Sequence, residues 1–370
     1  MLDLQRQYQP LREQILAAVE RVCSSQHFIL GAEVEALEQE VASLTAAKYG
    51  VACTSGTDAL WLALLAAGVQ PGDAVLTTAF SFFASASAIA RIGARPVFVD
   101  IDPQTFNLNL AKAAIRLADG GSHKVQALLP VHLYGQCIDM NAMAHLSQDF
   151  QIPVVEDAAQ AIGAAWGKQR AGSFGITAAF SFYPTKNLSA AGDAGMVTTN
   201  DLEVAEHMRR LRNHGSPQRY VHEELGWNCR MDAIQAAILR VKIPHIEEWN
   251  RKRRERANSY AGLLTKAGLT SSVLLPHVPE NAHPVFHQYV IRVQKRNDLR
   301  SFLAKRKIAT EIYYPIPLHL QPIFTYLGYL EGDLPESERA AKEVLALPMF
   351  PELTEDEQKY VVEGISDFYS

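Results

Sequence analysis

Short apolar runs alternate with helix-spaced apolar positions from the start of the chain to Asn200. Val51-Ala52-Cys53, AVLTTAF (74–80), ARPVFVDID (94–102), VQALLPVHLYG (125–135), IPVVEDAA (152–159), AAFSFYP (178–184) and MVTTN (196–200) are brief, rich in β-formers and bounded by Gly, Pro or Asn. Runs of this kind predict buried strands. Between them, Asp58 to Ala67, Ser81 to Ala94 and Met140 to Phe150 carry helix formers. Alternating β and α segments predict a mostly parallel sheet covered on both faces, with right-handed crossovers. Ahead of this body, Leu11 to Cys23 and the stretch holding Val34, Leu37, Val41 and Leu44 have apolar residues at helical spacing, with Gly31 as the break. They predict a helical arm.

The texture changes after Asn200. Leu202, Ala205, Met208 and Leu211 mark one side of an amphipathic helix, and DAIQAAILRVKI (232–243) an apolar one. A long charged helix is predicted from about Ile246 to Ala267, joining two lobes. The remainder predicts a smaller α+β unit. FHQYVIRV (286–293) and ATEIYY (309–314) read as strands, Asp298 to Lys307 and Glu336 to Leu347 as helices, and IPLHLQPIF (316–324) as a proline-punctuated loop. Thr354 to Glu357 is a capping box opening the last helix. The expected division is 1–245, a large domain with its helical arm, and 246–370, a small C-terminal domain.

Composition narrows the reading without redirecting it. The chain has 370 residues, 48% hydrophobic and 20% charged, with a formal net charge of −5. These values suit a globular protein with a large core and offer no broad nucleic-acid footprint. The basic run RKRRER (251–256) falls within the charged helix and reads as a solvated face. The N-terminus lacks a hydrophobic signal core, and no apolar stretch is long enough to span a bilayer, so a cytoplasmic location is expected. Cys23, Cys53, Cys137 and Cys229 have no paired metal-ligand spacing and read as reduced thiols; no metal is expected.

Two apolar runs end in groups that carry chemistry. Val154-Val155 leads to Glu156-Asp157, and Ala178 to Phe182 leads to Lys186. In open α/β sheets, ligands sit at the carboxyl ends of strands. A carboxylate and an amine delivered to one such edge suggest an electron-sink cofactor, with Asp157 at its ring nitrogen and Lys186 at its aldehyde. Asp157 also reads as a plain helix N-cap, with Gln160 one helical turn on. Lys186 lies between two buried-type strands, which argues against an ordinary surface amine. Ser55-Gly56-Thr57 opens a helix and offers free backbone N–H groups to a phosphate, though a simple N-cap has the same appearance. Ser181 could donate to a phosphate oxygen. Phe80, Phe82 and Phe83 are core candidates, one of which could stack on a cofactor ring.

SGTDAL, VEDAAQAIGA, SFYPTKNLSAAGDAGM, NHG, GWNCRMDAIQAA and YYPIPLHLQ, in this order, resemble the DegT/DnrJ/StrS family of sugar aminotransferases over nearly the whole chain. The resemblance implies the α/β fold-type I aminotransferase architecture, pyridoxal 5'-phosphate (PLP) and a homodimer with sites at the subunit interface. It implies transfer of an amino group, usually from L-glutamate, to a keto carbon of a nucleotide-linked hexose. By motif, Lys186 would be the Schiff-base lysine, Asp157 the pyridinium partner and Gln160 the partner of the ring hydroxyl. Gly56, Thr57 and Ser181 would bind phosphate, and Phe82 would stack on the ring. Asn228, in the G-x-N-x-R pattern, would reach the phosphate of the partner subunit's cofactor. Tyr183, His214, Tyr220, Tyr314 and His319 are candidates for substrate contact. TTAF lacks the proline that relatives often carry after the first Thr, and LSAAGD lacks a glycine after Leu; neither change removes a reacting group.

FYPTKNLSAAGD is more similar to members acting on 3-keto sugars than to the 4-amino group, so amination at C3 is expected, with C4 the alternative. Related dehydratases carry histidine at the reactive position, which Lys186 counts against. A non-enzymatic regulatory protein on the same fold would have no need of Lys186, Asp157 and Gln160 together.

Overall fold

The computed structural model describes residues 1–120 and 124–370. Seven strands form its main sheet: β1 (Tyr49–Cys53), β2 (Ala74–Thr78), β3 (Arg95–Val99), β4 (Val125–Leu129), β5 (Val155–Asp157), β6 (Thr177–Ser181) and β7 (Gly195–Thr199). Their order is β1-β7-β6-β5-β4-β2-β3. The two halves are joined by parallel bridges from Leu128 to Val154 and from Val131 to Asp157. All strands run parallel except β7, which is antiparallel to both neighbours.

Successive strand residues point to opposite faces, and the apolar ones fill two separate cores. Val51, Cys53, Ala179 and Val197 pack on one side with Leu60, Leu64 and Met208. Ala52, Ala178, Phe180 and Met196 pack on the other with Leu37, Val41 and Leu239. This explains why the strands read as continuous apolar runs: a sheet buried on both faces leaves no polar positions in alternation. The helix Gly56–Ala66 is itself buried around most of its circumference, which is why its sequence, ALWLALLA, has no polar stripe. The arm forms helices Arg12–Ser25 and Ala32–Thr45. Arg212 reaches the latter and donates to Glu38 Oε1 at 2.5 Å and to the Ala52 carbonyl at 2.6 Å.

Beyond the helix Ile246–Lys266, a three-stranded antiparallel sheet takes the order Val273–Leu274, Tyr289–Val293, Val344–Leu347. Helices Arg296–Lys305 and Glu355–Tyr369 contribute to its core, and Thr354 and Glu357 form the expected capping box. Two expectations fail here. The helix expected from Glu336 to Leu347 stops at Glu343, and Val344–Leu347 is a strand paired with Tyr289–Arg292. ATEIYY is not a strand and makes a single bridge, Glu311 to Ala346. In both cases the residues suit either state, and the partner strand decides. IPLHLQPIF forms two short 3-10 turns, Leu318–Leu320 and Pro322–Leu327. The basic run is partly solvated: Arg253 is buried and donates to the carbonyls of Phe286, His287 and Met349, and Arg256 Nε is buried as well. The four cysteines are free thiols, and Cys53, Cys137 and Cys229 are buried. No helix among the described residues is long and apolar enough to cross a membrane.

Candidate active site

The carboxyl ends of β1, β2, β5 and β6 open on one cleft of about 590 Å³. Gly56, Thr57, Phe82, Asp157, Gln160, Ser181, Tyr183, Lys186 and Tyr314 all line it. β5 and β6 are adjacent and in register, with Asp157 opposite Ala179. Backbone pairing therefore sets where the carboxylate stands relative to the strand that leads to the amine.

Asp157 is 4% exposed and anchored at both oxygens. Ser85 Oγ donates to Oδ2 at 2.7 Å, and the Ala159 amide donates to Oδ1 at 3.2 Å. Burial pushes its carboxyl above the ordinary range, opposed by these donors and by the charge of Lys186. The side chain caps no helix, because turns follow it, with the Ala161 amide bonded to the Ala158 carbonyl at 2.9 Å. Gln160 arrives through that turn rather than along a helix. Its Oε1 accepts from the Tyr134 amide at 2.6 Å, and its Nε2 donates to the Tyr314 hydroxyl at 3.1 Å.

Lys186 follows a tight turn in which its amide donates to the Tyr183 carbonyl at 2.8 Å. Burial lowers its ammonium to about 8, with the negative charge of Asp157 as the opposing influence. An amine so placed reaches its free-base form far more readily than an ordinary lysine, as a nucleophile and proton carrier requires.

Also in the cleft wall, Ser55 caps the helix Gly56–Ala66 by accepting from the Asp58 amide at 3.1 Å. The preceding amides, of Gly56 and Thr57, have no acceptor within the helix and are left for a ligand. Ser181 lies so close that a Cβ on Gly56 would stand 2.5 Å from Ser181 Cβ. Gly195, at the start of β7, allows an equally close approach to the Ser55 carbonyl, 2.2 Å from its own hypothetical Cβ. The cleft thus has an anion cradle, a lysine amine and a buried carboxylate. That donor set fits PLP: phosphate at Gly56, Thr57 and Ser181, aldehyde at Lys186, ring nitrogen at Asp157. Phe82 is 56% exposed and lines the cleft, its ring 6.0 Å from that of Tyr314, whereas Phe80 is fully buried and belongs to the core.

The remaining candidates separate. Tyr183 and Tyr314 line the cleft; burial raises the Tyr314 hydroxyl above its usual range, so it stays protonated. His214, Tyr220 and Asn228 do not line it. They belong to a segment closed by the Asn213 to Asn228 bridge and by Trp227 packed edge-on against Trp61. Tyr220 is 80% exposed, and Asn228 Oδ1 accepts from Arg230 Nε at 3.0 Å. His319 corrects the expectation of substrate contact. It is 1% exposed, absent from the cleft wall, and paired through Nε2 with Glu338 at 3.1 Å.

Several cleft residues escape sequence reasoning. Ser85 lies in ASASAI and looks like a helix filler, and Ser81 lies 2.8 Å from it. Asp193, Tyr313 and His287 also line the cleft. His287 sits in FHQYVIRV, where a polar residue reads as the solvent face of a strand. The strand begins only at Tyr289, so His287 precedes it and turns to the cleft wall.

A model of the DegT/DnrJ/EryC1/StrS aminotransferase family matches residues 9–366. A protein of Geobacillus stearothermophilus named "Pleiotropic regulatory protein" is 52% identical over 369 residues, covering 100% of this chain and 98% of that one. The UDP-N-acetyl-3-dehydro-alpha-D-glucosamine 3-aminotransferase of Acidithiobacillus ferrooxidans is 45% identical over 359 residues, covering 96% and 94%. Among solved structures, the Streptomyces venezuelae protein DesV, in complex with a ketimine intermediate, superposes with a TM-score of 0.94 at 39% identity, covering 99% and 97%.

Proposed function

Since the chain belongs to the DegT/DnrJ/EryC1/StrS aminotransferase family, we propose that it carries an amino group from L-glutamate to the C3 keto carbon of a nucleotide-linked hexose, using PLP. One observation carries this reading. Lys186 and Asp157 come from neighbouring parallel strands into one cleft, and the amine is lowered to about 8. The 3-aminotransferase among the relatives supports the choice of C3.

PLP, when bound, supplies an aldehyde that takes up the amino group and a protonated ring that withdraws electrons from the neighbouring carbon. The protein does the rest. Asp157, held as an anion by Ser85 and the Ala159 amide, keeps the ring nitrogen protonated. Gly56, Thr57 and Ser181 fix the phosphate end, and Phe82 holds the ring face. Lys186 Nζ would take the proton from the amino-bearing carbon, hold it as an ammonium and give it back in each half of the exchange. Gln160, braced by Tyr134 and Tyr314, orients the ring hydroxyl.

The active form we propose is a homodimer in the cytoplasm. Asn228, outside the cleft of its own chain, would then enter the cleft of the partner, with His214 and Tyr220 near the sugar. We place the boundary between the large and small units at 245/246, where the long helix begins.

The regulatory name of the 52% relative raises a second reading, a sensor that binds ligand without turnover. Such a protein has no use for a lysine amine poised to exchange protons. The deciding experiment supplies ¹⁵N-glutamate and 3-keto sugars linked to UDP or dTDP, and reads the mass and stereochemistry of the product. Transfer that disappears in Lys186→Ala supports the enzyme. Full turnover in that variant, or PLP binding with no transfer to any keto-sugar, removes the assignment.

A further inference from the structure

The turn that forms the phosphate cradle is shaped by an acid. Asp58 stands in the first turn of the helix Gly56–Ala66 and makes two bonds back to the residues before it. Its amide donates to Ser55 Oγ at 3.1 Å, and its Oδ2 accepts from Thr54 Oγ1 at 2.5 Å. These contacts fix the path of Thr54-Ser55 into the helix, and with it the direction of the Gly56 and Thr57 amides. A carboxylate suits a helix N-terminus. It does not suit a site meant for an anion, because it lies within one helical turn of those amides. The turn and its ligand make opposite electrostatic demands of one residue.

Arg91 reconciles them. It comes from the last turn of the helix Ala84–Ile92, and its Nη1 donates to Asp58 Oδ1 at 2.5 Å. Its guanidinium lies over the Trp61 ring, 4.3 Å from the centroid, and Trp61 meets Trp227 edge-on. The Arg91 side chain is 41% exposed, and ion pairs so exposed add little to stability. Neither Asp58 nor Arg91 lines the cleft, so the pair touches no ligand there. What it can change is the potential at the cradle. The same helix carries, at its other end, the Ser85 that is bonded to Asp157. One helix therefore supports both the ring anchor and the phosphate cradle.

We propose that Asp58 and Arg91 are a pair of positioning residues for the cofactor: Asp58 sets the cradle, and Arg91 cancels its charge so that the cradle accepts a phosphate dianion. The inference rests on the reading of Gly56 and Thr57 as the phosphate site. With Arg91 removed, the Asp58 carboxylate stands uncompensated beside the phosphate, and like charges in a partly solvated site repel. Removing both charges, with the asparagine oxygen at 58 still accepting from Thr54, keeps the turn and takes away the repulsion. The effect follows the charge of the ligand. It falls on a phosphorylated ring and spares the same ring without its phosphate.

The test compares PLP with pyridoxal, which has the same ring and aldehyde but no phosphate. In Arg91→Gln, PLP affinity measured by equilibrium dialysis should fall roughly 10-fold, the scale of an unbalanced unit charge near a dianion. Capture of pyridoxal by Lys186, read by absorbance, should match that of the unsubstituted protein. The double variant Asp58→Asn, Arg91→Gln should regain the unsubstituted PLP affinity. An Arg91→Gln variant that binds PLP normally overturns the proposal. So does equal loss for PLP and pyridoxal, or a double variant no better than the single one, because packing on Trp61 would then be the role of Arg91. If a variant carrying Arg91→Gln fails to fold, Asp58→Asn alone decides. With Arg91 in place PLP should bind it more tightly, and unchanged or weaker binding refutes the proposal. Gly56→Ala is measured alongside. Unaltered PLP affinity there defeats the reading of the phosphate site, whereas loss there with normal Arg91→Gln defeats this inference alone.

Discussion

Ser85 donates its hydroxyl proton to Asp157 Oδ2 across 2.7 Å, and both side chains are buried. Since that proton is committed, the 2.8 Å contact between Ser81 and Ser85 must be donated by Ser81. A directed chain of hydroxyls therefore ends on the carboxylate at the floor of the cleft. Burial favours the neutral acid, and the donors favour the anion.

Ser85→Ala removes the nearer donor. The Asp157 carboxyl should rise further, and activity should disappear at a higher pH on the acid side, because the carboxylate is lost as pH falls through its pKa. A hydrogen bond to a charged group contributes about 1.5–3 kcal/mol, so kcat/KM near neutrality should fall about 10- to 100-fold. Ser85→Thr keeps the hydroxyl and should restore most of it. The pH–rate profiles of the three proteins, with the pH titration of cofactor absorbance, are the measurement. An unmoved acid limb in Ser85→Ala would refute the role.

Lys186 should titrate near 8 in the cofactor-free protein. The unprotonated amine is the reactive form, so capture of added PLP should accelerate as pH rises through that value and then level off. Asp157 opposes the lowering, so in Asp157→Asn the midpoint should move to a still lower pH. Stopped-flow absorbance between pH 6 and pH 10 reads both. A midpoint at that of a free lysine, about 10.4, would contradict the burial argument.

Gly56→Ala tests the cradle. The added methyl would meet Ser181 Cβ at 2.5 Å and Oγ at 2.9 Å. Overpacking of this kind costs about 1–3 kcal/mol. PLP affinity should fall by at least tenfold, measured by equilibrium dialysis, while far-UV circular dichroism stays unchanged. Unaltered affinity would remove Gly56 from the phosphate site.

His319→Ala should act on stability and not on the sugar. Glu338, its partner, also accepts from the amides of Gly332 and Leu334. Losing the imidazole leaves a cavity and one fewer donor on a buried carboxylate, worth about 1–3 kcal/mol. Urea unfolding should show this, with the KM for the keto-sugar within twofold of the unsubstituted value. A large KM effect would return His319 to the substrate-contact group.

Much of the site is visible in the sequence because two strand ends carry it. The runs before Asp157 and Lys186 are apolar on both sides, a pattern that a doubly covered sheet imposes and that places the next polar residue at its rim. Gly56 and Ser55 are legible for the same reason, as a turn between strand and helix. What surrounds these groups is not legible. Ser85 stabilises Asp157 from 72 residues away, and His287 meets Asn187 across 100 residues. Nothing local distinguishes either from filler or from a solvent-facing strand position. Val344–Leu347 reads as helix because AAKEVLALP continues a helical pattern, whereas its pairing with Tyr289–Arg292 is a long-range contact.

The register that sets Asp157 opposite Ala179 has an evolutionary corollary. Asp157 is tied by main-chain pairing to the strand that leads toward Lys186, whereas Tyr183, Thr185, Lys186, Tyr313 and Tyr314 stand on connecting segments that line the cleft. Exchange of the segment holding Tyr313 and Tyr314 would therefore reshape the cleft while leaving Asp157 and Lys186 where they are, whereas exchange of the segment holding Tyr183 and Thr185 would carry Lys186 with it.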